Sequence, residues 1–374
     1  MIAVIAVVLA VCFFGWEEYY RRHWMKDISV DLHFSEPAVY AGSEVTLTET
    51  IENRKKLPVH ILEIAFRVRK GVVFPDAENI TESDYVYKRD VFSLLGMERI
   101  IRRYTVRAVK RGHYEIDQTG EVAYSVPGHR KYEEELNIRD DFYVYAKRTD
   151  VKGILEPVMT LLGEAESRRK LYEDPFAFAG IRDYTTSDPM KTVNWKASAK
   201  TGGLMVNTYS SVCSETVRIF LDVEDRNIRK QQPLIEESVS IAATLCEKLT
   251  RGGQEVSLYV NAPSENGSTA GCTIFGSARG KRRQTAVEQY LTTDFASVRT
   301  SDFISLIRDN PPDERDMPLT VIISKNVTDD LAEAAREASE TGAGCVLVVP
   351  KERFSDFIPK SSGSLRVIVR EVLG

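Results

Sequence analysis

A chain of 374 residues, 43% of them hydrophobic, is long enough for two or three domains with buried cores. Its 50 basic and 55 acidic residues nearly cancel to a net charge of −5, which speaks against the strongly basic footprint of a nucleic-acid-binding domain. Five dispersed cysteines (Cys12, Cys213, Cys246, Cys272 and Cys345) form no CxxC pair, which argues against a disulfide framework or zinc site and fits a reducing compartment.

The first element is MIAVIAVVLAVCFFGW, in which every side chain from Ile2 to Phe14 is apolar. Trp16, Tyr19 and Tyr20 follow, residue types suited to a membrane interface, and then Arg21, Arg22 and Lys26. The run is shorter than the roughly 17–25 residues that span a bilayer. A signal peptide is the first alternative, but no Lys or Arg precedes the run and no small-residue cleavage site follows. A packed helix is the second, and it lacks any polar face. Residues 1–20 are therefore expected to anchor the chain in the cell membrane through lipid contact. The basic flank on the C-terminal side places the rest in the cytoplasm.

Residues 28–148 read as β. Glu44–Ile51 and Leu62–Arg69 alternate apolar and polar positions, the period of a half-buried strand. Arg99–Val109, His113–Ile116, Gly120–Val126 and Asp141–Ala146 are further candidates, punctuated by Gly42, Asn53, Pro58, Gly71, Gly112 and Pro127-Gly128. Short strands without an intervening helix predict an immunoglobulin-like β-sandwich. From Thr149 the pattern changes. Val151, Ile154, Leu155, Val158, Met159 and Leu162 recur at helical spacing and predict a linker helix that opens a connecting region over 149–215.

Over 216–374 strands and helices alternate. Thr216–Asp222, Val256–Val260, Leu319–Ser324, Cys345–Val349 and Leu365–Val369 are near-continuous apolar runs. Ile235, Val239, Ala242, Cys246 and Leu249 make one helical stripe; Leu331, Ala334, Ala335 and Ala338 make another. This predicts a doubly wound, mostly parallel sheet covered on both faces, so the expected fold class is α/β plus β. Function in such sheets gathers at the carboxyl ends of the strands, where Asp222, Asn261 and Ser324 stand.

Between the two regions lies GIRDYTTSDPMKTVNWKASAKTGGL, Gly180 to Leu204, a mixture that ordinary packing does not require. Gly180-x-Arg182-x-Tyr184, Asp188 with Lys191, and Trp195-Lys196-x-Ser198-Ala199-Lys200 resemble the signature of the domain of unknown function 58 family. The resemblance covers the chain, because members carry a membrane segment, a β-domain, this signature and a von Willebrand factor A-like domain. It implies a non-enzymatic assembly or interaction role beside a MoxR-type AAA+ ATPase. The chain departs from the pattern at Ser187, where Gly is common, and at Lys191 and Lys200, where Arg is common; members often have two membrane spans. Lysine cannot make the planar two-bond fork of arginine. The window reads as an ion-pair and aromatic knot, as a docking face built on Trp, Tyr and Arg, or as both. It holds no histidine and no nucleophile beside a base.

The A-like resemblance raises a magnesium question. A metal-binding version carries Asp-x-Ser-x-Ser, whereas this chain has Asp222-Val-Glu224-Asp225-Arg226, with both serines replaced and one replacement a cation. No cofactor is expected. Magnesium held by Asp222, Glu224 and Asp225 is the alternative to a carboxylate that caps a turn or pairs with lysine. The five histidines (His23, His33, His60, His113 and His129) share no ligand spacing, and no Walker loop is present. The rival function is a membrane-associated hydrolase or transferase acting on envelope polymers. Asp183 with Asp188 would be its best paired carboxylates.

Overall fold

The computed structural model describes residues 2–75, 78–124, 131–136, 138–170, 178–186, 188–209, 216–226, 231–264, 271–278, 280–312, 317–352 and 360–372. The features expected at Pro127-Gly128, His129, Ser187 and Cys213 lie outside them. The chain divides into two compact units: Met1–Arg148 with Glu288–Asp294, and Thr149–Val287 with Phe295–Gly374.

The first unit begins with helix α1 (Ile2–His23). Strands β1 (Ile28–Phe34), β2 (Ala38–Tyr40), β3 (Glu44–Asn53), β4 (Val59–Arg69) and β5 (Val72–Val73) follow. Then come β6 (Ile80–Glu82), β7 (Tyr85–Leu94), β8 (Arg99–Ala108), β9 (Gly112–Tyr124), β10 (Lys131–Leu136) and β11 (Asp140–Tyr145). One sheet has the order β1-β3-β8-β5; the other runs β2-β11-β9-β4-β7-β6, with β10 on β9. All neighbours are antiparallel except β2 and β11. The segments expected at 113–116 and at 120–126, the latter described as far as Tyr124, fall in one long strand, β9, and β7 is a strand that the sequence reading passed over.

The sandwich interior follows from strict alternation. In β3, Val45, Leu47, Glu49, Ile51 and Asn53 point inward; in β7, Val86, Lys88, Asp90, Phe92 and Leu94 do. Two apolar clusters result. One contains Leu32, Leu47, Phe66, Val86, Val106 and Phe142, and the other Ile51, Leu62, Phe92, Leu94 and Tyr132. Along β3, β7 and β8 they are separated by a polar layer. Lys88, only 1% exposed, pairs with Asp90 and stands 4.0 Å over the Tyr104 ring.

Two carboxylates share one phenol in this layer. The Tyr104 hydroxyl lies 3.0 Å from Glu49 Oε2 and 3.0 Å from Asp90 Oδ2, and Arg102 approaches Asp90 at 3.5 Å. Burial, then the nearby charge of Asp90, pushes the Glu49 carboxyl up to about 7. Burial raises the Tyr104 phenol as well.

Helix α1 has two characters. Tyr20 and Trp24 belong to the second apolar cluster, Trp24 stacks on Tyr132, and Lys55 Nζ caps the carbonyls of His23 and Trp24. By contrast, every residue from Val4 to Trp16 is exposed. The apolar run from Ile2 to Phe14 is about 20 Å long at 1.5 Å per residue. Among the described residues no helix is long and apolar enough to cross a membrane. The segment Glu288–Asp294 is tied within this unit by Arg111, which donates to the carbonyls of Leu291 at 2.6 Å and Thr293 at 2.7 Å.

The second unit contains α2 (Lys152–Lys170), β12 (Phe178–Asp183), a 3-10 turn (Met190–Thr192), α3 (Trp195–Thr201) and β13 (Met205–Tyr209). It continues with β14 (Thr216–Leu221), α4 (Gln232–Arg251), β15 (Glu255–Val260), β16 (Thr273–Ala278) and α5 (Lys281–Tyr290). Helix α6 (Phe303–Arg308), β17 (Leu319–Ile323), α7 (Asp329–Thr341), β18 (Gly344–Lys351) and β19 (Leu365–Glu371) complete it. Six strands form one sheet, β16-β15-β14-β17-β18-β19, parallel except for the edge strand β16. The observed class is thus mixed: an antiparallel sandwich followed by an α/β unit. Phe220, Ile322 and Leu347 pack with α6 and α7 on one face, while their neighbours Ile219, Val321 and Val346 are equally buried. Both faces are covered, which is why these strands read as continuous apolar runs.

Candidate functional site

The parallel sheet reverses its winding between β14 and β17, the place where α/β sheets collect polar groups at strand ends. Asp222, Asn261 and Ser324 do meet there. Asp222 is only 2% exposed. Its Oδ1 accepts from Asn261 Nδ2 at 2.8 Å and from the Glu224 N–H at 3.0 Å. Its Oδ2 accepts from Ser324 Oγ at 2.7 Å and Asn326 Nδ2 at 3.0 Å. Four donors occupy the carboxylate, so the buried group is satisfied by hydrogen bonds.

The alternative magnesium ligands turn elsewhere. Glu224 pairs with Arg226 at 2.7 Å, and Asp225 takes Lys325 Nζ at 2.7 Å and the Gln231 N–H at 2.9 Å. Asp222 caps the turn after its strand and Asp225 pairs with lysine. Among the described residues no cluster of His, Cys, Asp or Glu could hold a metal ion. The arrangement is a hydrogen-bonded pin at the strand ends.

The signature window is a loop inserted in a two-stranded ribbon. Strands β12 and β13 pair antiparallel, Arg182 opposite Val206 and Asp183 opposite Met205, and the Tyr184 N–H donates to the Leu204 carbonyl at 2.9 Å. The segment 184–204 is thereby closed at its base. Arg182 makes a two-bond fork to Asp188, with NH1 to Oδ2 at 2.7 Å and NH2 to Oδ1 at 2.6 Å. Thr185 adds its N–H at 2.8 Å and its hydroxyl at 2.7 Å to Asp188 Oδ2. The Arg182 bonds, then those from Thr185, hold the Asp188 carboxyl well below the usual carboxylate range.

Helix α3 is fixed at both ends. Asn194 Oδ1 accepts from the Ala197 N–H at 3.0 Å, an N-cap, and the last turn closes on Gly202 at φ 75°, a left-handed position that favours glycine. Ser198 Oγ donates to the Asn194 carbonyl at 2.8 Å and accepts from the Met205 N–H at 2.8 Å. Asn194 Nδ2 also reaches Asn207 Oδ1 at 2.7 Å. Val193 and Val206 are buried and paired by an isolated bridge.

The predicted window residues thus part into two sets. Arg182, Asp188 and Ser198 make the knot, with Gly180 and Tyr184 in and beside the ribbon. Lys191, Trp195 and Lys200 are at the surface, together with Lys196, Ile181, Met190 and Leu204. Trp195 is 62% exposed and Met190 57%. Thr185, Asn194 and Asn207 were missed, although Asn immediately before an expected helix is a capping signal. Asp183 is exposed, while Asp188 is committed to Arg182 and Thr185.

No family model and no curated protein matches the chain. Solved structures give partial likenesses. Trypsin-activated alpha-2-macroglobulin from Escherichia coli is 20% identical over 32% of this chain and 7% of its own, with a TM-score of 0.23. A non-cellulosomal cohesin from Archaeoglobus fulgidus is 12% identical over 34% of this chain and 96% of its own, at 0.23. The CARDB domain of a Pyrococcus furiosus protein is 12% identical over 32% of this chain and 90% of its own, at 0.22. Similarity this slight carries no argument about fold or function.

Among the described residues, neither site presents a free nucleophile beside a base. The strand-end network stores polar groups inward. The ribbon insert, in contrast, spends its ion pair and its capping groups on holding a loop still, and turns its largest aromatic outward.

Proposed function

We propose that this chain is a non-enzymatic, membrane-anchored interaction or assembly factor whose insert, residues 184–204, docks a MoxR-type AAA+ ATPase. The observation that carries the reading is Trp195, largely exposed on a loop that a two-bond ion pair and a capped helix hold in place. A tryptophan in water costs solvation free energy, and tryptophan and arginine dominate interface hot spots. Fixing the loop beforehand lowers the ordering cost of binding.

In this reading α1 anchors the chain through its exposed apolar turns, with the basic residues Arg21, Arg22 and Lys26 on the cytoplasmic side. The sandwich is immunoglobulin-like and the six-stranded sheet von Willebrand factor A-like. Its strand order and its antiparallel edge strand support the second assignment. The resemblance in the signature supports the ATPase.

The test is recovery from native membranes with the full-length chain as bait, with ATP and without, read by mass spectrometry. An AAA+ ATPase whose recovery changes with nucleotide is expected. Recovery of envelope polymers alone would overturn the reading.

A further inference from the structure

We infer that the partner of this insert presents an acidic face surrounding a pocket for the Trp195 indole. The inference rests on the insert being a docking surface and adds the chemistry of what docks. Four cations and two carboxylates lie in Gly180–Leu204, in a chain whose net charge is −5. Arg182 is neutralised by Asp188. Lys191, Lys196 and Lys200 are exposed and, among the described residues, meet no carboxylate. The one remaining acid, Asp183, is exposed too.

Their placement is not neutral for the fold. Lys196 and Lys200 are four residues apart on a seven-residue helix, where like charges destabilise the helix. Ser198 turns inward to Asn194 and Met205. Trp195, Lys196, Ala199, Lys200 and Thr201 are the exposed positions, so two lysines stand beside the stripe headed by the indole. Among the described residues of the insert, no ion pair or hydrogen bond uses these cations. A partner carboxylate would relieve their repulsion.

Lysine also suits this task better than arginine would. A flexible point charge attracts an acidic surface over a Debye length without requiring a fixed fork. The indole, buried on contact, holds the complex. The two roles separate kinetically: the cations set the association rate and its salt dependence, and Trp195 sets dissociation.

The test places the full chain in phosphatidylcholine nanodiscs and follows Trp195 emission, isolated as the difference from Trp195→Phe. Two amphipathic helical peptides share a leucine face; one has an all-glutamate polar face and the other an all-lysine one. The acidic peptide is expected to shift the emission to the blue, with binding weakened about tenfold between about 50 and 500 mM salt. The triple variant Lys191→Glu, Lys196→Glu, Lys200→Glu is expected to prefer the basic peptide. Equal response to both peptides overturns the inference, as does a shift produced only by phosphatidylserine in the disc.

A purified MoxR-type ATPase separates this from the functional reading. Tight binding to wild type and triple variant alike sinks the acidic face and leaves the docking surface standing. Failure to bind an ATPase, with the peptide preference intact, sinks the ATPase and supports the charge assignment.

Discussion

Tyr104 holds its hydroxyl 3.0 Å from Glu49 Oε2 in the middle of the sandwich, on the line where one apolar cluster ends and the next begins. The same hydroxyl is 3.0 Å from Asp90 Oδ2. A phenol has one proton, so it can donate to only one of them. Both contacts become hydrogen bonds if Glu49 carries a proton and donates to the phenol oxygen, which in turn donates to Asp90. Lys88 and Arg102 supply the positive charge facing Asp90.

The stability of the chain should therefore fall as pH rises through this range. The folded Glu49 titrates at about 7, against 4.5 when unfolded, so the folded state binds the proton more tightly. The contribution is complete below about 4.5, declines as pH rises and is gone above about 7. It amounts to on the order of 3 kcal/mol. Urea unfolding of wild type and Glu49→Gln checks it: the wild type should lose stability relative to the variant between those pH values. Parallel curves would contradict the shared-proton account.

Arg182→Lys should loosen the insert without unfolding the chain. A lysine offers Asp188 a point charge in place of two parallel bonds. Lys191, Lys196 and Lys200 are exposed, so trypsin reads the loop directly. Cleavage there is expected to quicken several-fold while far-ultraviolet circular dichroism stays the same. An unchanged cleavage rate would mean the fork does not hold the loop.

Asp222→Ala should be severe, because Asn261, Ser324, Asn326 and the Glu224 amide would all lose a buried acceptor. A loss of about 3–5 kcal/mol is expected. Ser324→Ala removes one of the four donors and should cost about 1–2 kcal/mol. Millimolar magnesium should leave the wild-type melting temperature where it is, since four donors already occupy the carboxylate. A magnesium-dependent rise in Tm that Asp222→Asn abolishes would assign a metal to this site.

Trp195→Ala should leave folding stability within about 0.5 kcal/mol of wild type, because the side chain is exposed and takes no part in the Asn194 cap. Its effect should appear only when the partner is added, as faster dissociation. A large drop in the melting temperature of the isolated chain would assign the indole a structural role.

The two halves of the molecule were legible to different degrees. Phe220, Ile322 and Leu347 alternate with Ile219, Val321 and Val346, all buried, so apolar runs marked the parallel strands directly. Once those runs were placed, Asp222, Asn261 and Ser324 had to meet at the strand ends. The polar layer of the sandwich escaped notice because Lys88 and Asp90 look like solvent-facing residues. Their phase with Val86, Phe92 and Leu94 says otherwise, and strand β7 was the cue. In the window, the ion pair of the expected knot is Arg182 with Asp188, while Trp195, expected to belong to an aromatic knot or a docking face, stands exposed. Which residue belonged to which depended on a hairpin closing Tyr184 onto Leu204, and no local periodicity announces that contact.

The most direct test of the central claim is photo-crosslinking in native membranes from benzoylphenylalanine at position 195 of the full-length chain. The same group at the exposed Val91 of the sandwich serves as reference. The account predicts a product with a MoxR-type AAA+ ATPase from position 195 and none from position 91. An ATPase product from position 91 alone, or from neither position, would contradict it.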